Sequence, residues 1–349
     1  MPNGGSELSE PRRGVLSRVA SVQRDGLMIW AALAALVITC AIFASSTLTS
    51  TALLSMLPFA AILAIASIGQ CLTIQQGGLD FSVIGSISLA AAIVAGHPSG
   101  HDSELLSAIL MALGAVSIAG LLNGIAISVL RITPIIATLA VNALLLGAVQ
   151  SYTKGIPRQA TSNISDFAVG KFLGVPNTVW IAAVFVAVAS LILSRTVVGR
   201  RAVAIGANPE TARAAGLRVS HYVIGTYVTA ALCYGVAGIV LAGYLQTPGI
   251  EAGKPYLFST ITAVVLGGTA LGGGRGRIVG TAAAALFLGQ LESFLSSIGA
   301  PPSVSLLVQA AAIAIAVAFS QASALASLPG IVRNLRPLRQ PSTSREAEA

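Results

Sequence analysis

The chain has 349 residues, 55% of them apolar and only 9% charged, with a formal net charge of +8 and a mean hydropathy of +0.85. That balance excludes a soluble globular domain, and apolar runs of about 20 residues indicate a polytopic membrane protein. The basic excess has no aromatic interleaving, so it reads as a topology signal facing membrane lipid; no nucleic acid is expected as a partner.

In chain order, residues 1–26 form a polar tail with Arg12, Arg13, Arg18 and Arg24. The apolar run 27–47 is too long for a signal-peptide core and is expected to stay as a first span. Further spans are expected at 52–74, 81–96, 105–130, 132–152, 177–194, 221–245, 258–273, 278–298 and 302–320. The expectation is an all-α protein of about ten transmembrane helices, with a membrane domain over 27–320 and a flexible tail over 321–349. Spans three and eight are short for a hydrocarbon core of about 30 Å, so broken or re-entrant ends are expected there. Cys40, Cys71 and Cys233 lie in apolar runs, where they act as small hydrophobes.

Charge placement sets the orientation. With ten spans both termini share a side, and putting that side in the cytoplasm leaves only Lys154, Arg158, Lys171 and Lys254 among the basic residues outside. The positive-inside rule therefore places both tails and the loop 195–221 in the cytoplasm.

That loop is the one long polar interruption in the middle of the chain. It holds Arg195, Arg200, Arg201, Arg213 and Arg218 against a single acid, Glu210. A short helix is written into it. Asn208 suits the N-cap, Pro209 the first helical position and Glu210 the positive end of the dipole, while Gly216 can close the helix in a left-handed turn. Packing alone gives such a helix little reason to exist; it reads as a handle for a cytoplasmic partner.

Two glycine-rich turns fall on the same side, Gly77-Gly78 before span three and Gly267-Gly268 to Gly273-Gly274 before span nine. Neither ends in the Lys-Ser/Thr pair of a phosphate loop, so tight turning and close helix contact explain them, and this chain is not expected to hydrolyse ATP. Asp80 and Glu292 are the intramembrane carboxylates, where a charge costs about 2.5–3.5 kcal/mol or more. Asp80 either caps span three from the cytoplasmic interface or belongs to a translocation path. Glu292 sits mid-way along span nine, either lining a polar path or partnered in the bundle. Ser82, Asn123, Thr138, Asn142 and Gln290 complete a candidate translocation path suited to a hydroxylated solute, though each residue type also serves as glue between helices. His97 and His101 are separated by Pro98 and Gly100, which breaks the helix a metal pair would need. No metal site and no catalytic constellation is visible.

Four stretches together resemble one family, the permease subunits of carbohydrate ABC importers of the ribose, xylose and autoinducer-2 type. QGGLDFSVIGSISLA is similar to the family's GGIDLSVG segment, and GLLNGIAISVLRITPIIATLA to its Asn-Gly span with the following R-x-x-P-x-x-x-T-L. RTVVGRRAVAIGANPETARAAGLRV resembles its cytoplasmic loop, and AVVLGGTALGGGRGRIVGT its glycine turn. The resemblance runs over residues 52–320 in the family's order. Ile84 lengthens the S-V-G-S pattern, and Pro255 to Ser259 lack the acids usual before A-V-V. Glu292 stands near an expected Asn.

The resemblance implies a permease in the bacterial inner membrane, working as a homodimer or beside a similar permease by alternating access, with a sugar-like solute. It implies a cytoplasmic ATPase, holding the ATP and magnesium, that grips the loop through Gly199, Arg200, Asn208, Pro209, Glu210, Arg213 and Gly216. It also implies an extracytoplasmic binding protein that delivers the solute. The alternative is an ion-coupled secondary transporter, which normally carries more intramembrane carboxylates than these two. The orientation is checked by cysteine labelling of intact cells: Ser103→Cys and Ala252→Cys are expected to react from outside and Ala207→Cys to stay silent, and labelling of Ala207→Cys would overturn the scheme.

Overall fold

A computed structural model describes residues 28–326, with side chains to 314; the tail 1–26 and most of 321–349 lie outside the described residues. The helices are α1 (Met28–Phe43), α2 (Ser50–Gln75), α3 (Val83–Gly96), α4 (Leu105–Ser128), α5 (Pro134–Thr153) and α6 (Ser162–Val169). They continue as α7 (Asn177–Arg195), α8 (Val197–Ala207), α9 (Pro209–Ala214), α10 (Val219–Leu245), α11 (Tyr256–Leu266), α12 (Ile278–Ser297) and α13 (Pro302–Ala326). A hairpin of two-residue strands, β1 (Lys171–Phe172) and β2 (Val175–Pro176), pairs antiparallel before α7. Six of these helices are long and apolar enough to cross a membrane, and α1, α3, α11 and the start of α13 are shorter apolar helices. The ten apolar helices expected from the sequence are therefore present in an all-α membrane architecture. The segment between the fifth and sixth is not bare loop but α6 and the hairpin, which lie on α10 and α7.

The core forms around α2 and α10, which pack on each other, α10 also on α3 and α4 and α2 also on α11 and α12, while α7 is the least buried long helix. Close approach is written in small residues. Along α4, Ala108, Ala112, Val116, Gly120 and Gly124 recur every four residues on one buried face that lies against α10. A Cβ at Gly120 would come within 2.6 Å of the Tyr227 carbonyl oxygen, and one at Gly124 within 2.6 Å of the Ile224 Cα. Lipid gives helices no hydrophobic reason to associate, so this backbone proximity and its dispersion contacts hold the pair.

The two shortest inner helices, α3 with 14 residues and α11 with 11, span only about 21 and 16 Å, well short of a bilayer core. Both start inside the bundle. The chain between α10 and α11 turns back to reach α3: Gly253 presses on the Ile84 carbonyl, and its N–H donates to Ser88 Oγ at 3.0 Å. Ile84, the residue that lengthens the serine-glycine pattern, thus supplies the floor on which this loop rests.

Replacing Gly124 by Leu is expected to destabilise the bundle by about 1–3 kcal/mol through overpacking. Gly114→Ala, where a Cβ meets nothing within 4 Å, is expected to be neutral or slightly stabilising. A thiol-reactive dye that reads exposure of the buried Cys71 and Cys233 on heating checks both; equal melting of Gly124→Leu and the parent would contradict the packing argument.

Candidate functional site

The loop 195–221 folds as two helices, where the sequence indicated one. Thr196 caps α8, its Oγ1 accepting from the Gly199 N–H at 3.1 Å. Gly199 is buried where a Cβ would strike the Ile192 and Leu193 carbonyls, so α8 turns directly off α7. Arg200 closes the corner by donating to the Arg195 carbonyl at 3.1 Å. The expected short helix is α9. Asn208 Oδ1 accepts from the Thr211 N–H at 2.9 Å, Pro209 stands at its first turn, and Gly216 takes a left-handed φ of +81°. The Leu217 N–H returns to the Ala212 carbonyl at 3.0 Å and completes the cap. Ala212 plugs α9 into Ile205, Leu217, Val219 and Tyr222, while Asn208, Pro209, Glu210, Arg213 and Gly216 face outward. The result is a rigid polar knob on an apolar foot.

The same loop is joined to both glycine turns, which the sequence presented as separate features. Gln75, at the end of α2, accepts from the Gly274 N–H at 2.8 Å through its carbonyl. A Cβ at Gly206 of α8 would strike that same carbonyl, and one at Gly273 would meet the Gly206 carbonyl and, at 3.1 Å, the Gly77 nitrogen. Gln76 adds an Nε2–H donated to the Ala202 carbonyl at 3.2 Å. Gly77, Gly268, Gly273 and Gly274 have positive φ, so several are fixed by conformation as well as by space. Gly78 lies against Tyr227 and Pro134, and Gly267 against Gly280 and Thr281 at the start of α12. The ends of α2, α8 and the chain entering α12 thus meet backbone to backbone.

The path candidates divide into three places. Asp80, Ser82, Asn123, Thr138 and Asn142 are all buried and belong to one network around the start of α3. Asp80 Oδ1 accepts from the Ser82 N–H at 2.9 Å and the Ser82 hydroxyl at 2.6 Å. Asn123 Nδ2–H donates to Ser82 Oγ at 2.9 Å. From α5, Thr138 Oγ1 accepts from the Phe81 N–H at 3.1 Å, and Asn142 Oδ1 from the Gly85 N–H at 2.8 Å. The Gly85 contact answers one of the first N–H groups that α3 leaves open, and the other two hold the turn that leads into it.

Gln70 and Tyr234 complete the network, and sequence reading passed over both. Of the two orientations of the Gln70 amide, one sets oxygen against acceptors. The other lets Nε2–H donate to the Asp80 carbonyl at 3.1 Å and to the Tyr234 hydroxyl oxygen at 2.9 Å, while Oε1 accepts from the Asp80 N–H at 3.3 Å. In that orientation the Tyr234 proton is free for the Asp80 carboxyl, whose Oδ2 has no other donor among the described residues. The only signals available were a glutamine inside an apolar run and tyrosines seven apart on α10.

Gln290 stands elsewhere, donating to Thr47 Oγ1 at 3.3 Å and facing Cys40 Sγ at 3.4 Å, which ties α12 to the segment before α2. Glu292 is the fifteenth of the twenty residues of α12, farther from the glycine junction than a mid-span position, and it is exposed.

Ten apolar helices, a polar knob seated on three helix ends and an interior polar network define a multi-pass membrane protein of the transport class. Residues 52–317 match the family described as branched-chain amino acid transport system / permease component. The chain is 36% identical over 259 residues to the ribose import permease of Escherichia coli K12, covering 73% of this chain and 80% of that one. It is 35% identical over 286 residues to the ribose import permease of Bacillus subtilis 168, covering 81% and 88%. The galactofuranose transporter permease of E. coli K12 is 33% identical over 255 residues, covering 72% and 74%. No solved structure matches. The chain belongs to this permease family.

Capping of α3 from α5 is checked by substitutions that keep shape and remove an acceptor. Thr138→Val and Asn142→Leu each strand a buried N–H and are expected to cost about 1–3 kcal/mol in the same melting assay. Parental stability in both would show that α3 does not depend on them.

Proposed function

We propose that this chain is the membrane permease subunit of a bacterial ABC importer that moves a monosaccharide or related polyhydroxylated solute into the cytoplasm by alternating access. The observation that carries the reading is the α8–α9 knob, a capped polar surface seated directly on the ends of α2, α8 and the chain into α12. Isolated, a six-residue helix is unstable in water, and here it is held by its apolar foot and presented outward, the form a docking element takes. The relatives named for ribose and galactofuranose import support a sugar as solute.

On this reading the knob and both termini face the cytoplasm, and the membrane is the inner membrane. A separate ATPase subunit holds ATP and magnesium and grips α9 through Glu210 and Arg213. The permease acts as a pair, with itself or a similar chain, and an extracytoplasmic binding protein delivers the solute at the opposite end. The chain itself catalyses no reaction.

Glu210→Lys reverses the exposed charge, and Gly216→Val forces a Cβ into a left-handed turn at a cost of roughly 1–2 kcal/mol. With the ATPase of its own gene cluster co-expressed, both variants are expected to insert normally and to lose the ATPase on purification or uncouple hydrolysis from uptake. Retention of the ATPase and parental uptake in both would reduce the knob to a topological anchor.

A further inference from the structure

Two clefts adjoin the end of the bundle that carries the knob, and neither belongs to the polar network around α3. One, of about 550 Å³, runs along α7 and is bounded by Val279 of α12. The other, of about 460 Å³, lies between the ends of α7 and α8, the chain 274–280 and Trp30 of α1. They share Ser190, Ser194 and Val279, so they are two arms of one groove.

The groove has an apolar length and a basic end. Along α7 it is lined by Ala183, Val186, Ala187, Ser190 and Leu191, the i, i+3, i+4, i+7, i+8 face of a helix, and then by Ser194 and Arg195. From Ala183 to Arg195 the helix rises about 18 Å, close to the depth of one leaflet in a hydrocarbon core of about 30 Å. Ala183, Ala187 and Leu191 are exposed on the least buried of the long helices, so the groove opens toward lipid and not into the bundle. At its polar end Arg195 is joined by Arg275 and Arg277 of the turn into α12. The Arg195 guanidinium has no acceptor among the described residues, and no acid lines either arm. Trp30 stands at the same end, 49% exposed, in the place that an interfacial aromatic takes.

We propose that this groove holds an anionic phospholipid, its headgroup phosphate at the arginine end beside Trp30 and an acyl chain along α7. Guanidinium groups pair with phosphate oxygens in charge-assisted hydrogen bonds, and a basic pocket between membrane helices selects anionic headgroups by charge. A second copy of the chain is the poorer occupant, because the lining carries no acid to answer the arginines of either copy. Gly274 lines the groove and is hydrogen-bonded to the Gln75 carbonyl, so the lipid also braces the junction on which the knob is seated.

The test uses the full-length chain, purified and reconstituted in phosphatidylcholine nanodiscs, and reads tryptophan fluorescence. The sequence has two tryptophans, so Trp180→Phe, at the far end of α7, leaves Trp30 as the reporter. Brominated phosphatidylglycerol is expected to reach half of its quenching at about tenfold lower mole fraction than brominated phosphatidylcholine. In the same background Arg195→Gln with Arg275→Gln is expected to bring the two lipids together. Arg195→Lys with Arg275→Lys keeps the charge and retains the preference, as does Arg201→Gln, whose arginine does not line the groove. Equal quenching by both lipids in the Trp180→Phe chain, or an undiminished preference after the double Gln change, overturns the proposal. Disulfide-linked dimers formed by Ala187→Cys at high yield, with no preference between the lipids, would overturn it in favour of a second copy on this face. Because no transport is measured, none of these outcomes bears on the importer reading.

Discussion

A helix that begins inside an apolar bundle must find acceptors for its first backbone N–H groups, and that requirement organises this protein. Each unanswered group costs several kcal/mol where no water can reach it. The start of α3 meets it with three side chains, one from the turn before it and two from α5: Asp80 serves Ser82, Thr138 serves Phe81 and Asn142 serves Gly85. The joint is itself held in place, Ser82 Oγ by the Asn123 Nδ2–H and the Asp80 backbone by Gln70. Removing one member therefore loosens a joint between α2, α3, α4, α5 and α10 and not a single bond.

Glycine does the complementary work at the junction. Polar side chains join α3 to its neighbours, but α2, α8 and the chain into α12 join through backbone atoms, because Gly206, Gly273 and Gly274 have no Cβ to keep them apart. Contacts of this kind are short and stiff. A displacement of α8 cannot be absorbed by a side-chain rotamer change there; it must be passed to α2 and α12 or break the Gly274–Gln75 hydrogen bond.

Much of this was legible in the chain, for physical reasons that differ by feature. The spans were legible because hydropathy is additive along a helix, and α9 because Asn208, Pro209 and Gly216 each have a strong positional preference. Asp80 has a local job in the turn before α3, accepting from Ser82, but it is buried in the bundle and not at an interface. Tertiary facts were hidden. Nothing local tells that Thr138 and Asn142 face the start of α3, or that the two glycine turns touch each other. Hence five of the seven path candidates prove to be one structural joint. Glu292 differed again: its residue type was conspicuous, but its exposure past the middle of α12 is a tertiary fact.

The two ends of the bundle are connected by the helices that carry them. α12 leaves the glycine junction at Ile278 and reaches Glu292 fourteen residues later, a rigid path of about 21 Å. Beside it α2 runs from Met56 to Gln75, and the two are locked together at Gly289 by contact with Met56 and Ala60. Both helices therefore lead from the junction with α8 to the opposite end of the bundle. On the importer reading this sets a geometric condition on coupling. A tilt imposed on α8 by a docked partner must reach the opposite end as a motion of α2 and α12 together, since they are in close contact at Gly289. The short helix α11 packs against both of them and against α13, with the loop before it folded on α3. On that reading α2 and α12 are the levers that carry a motion of α8 along the bundle.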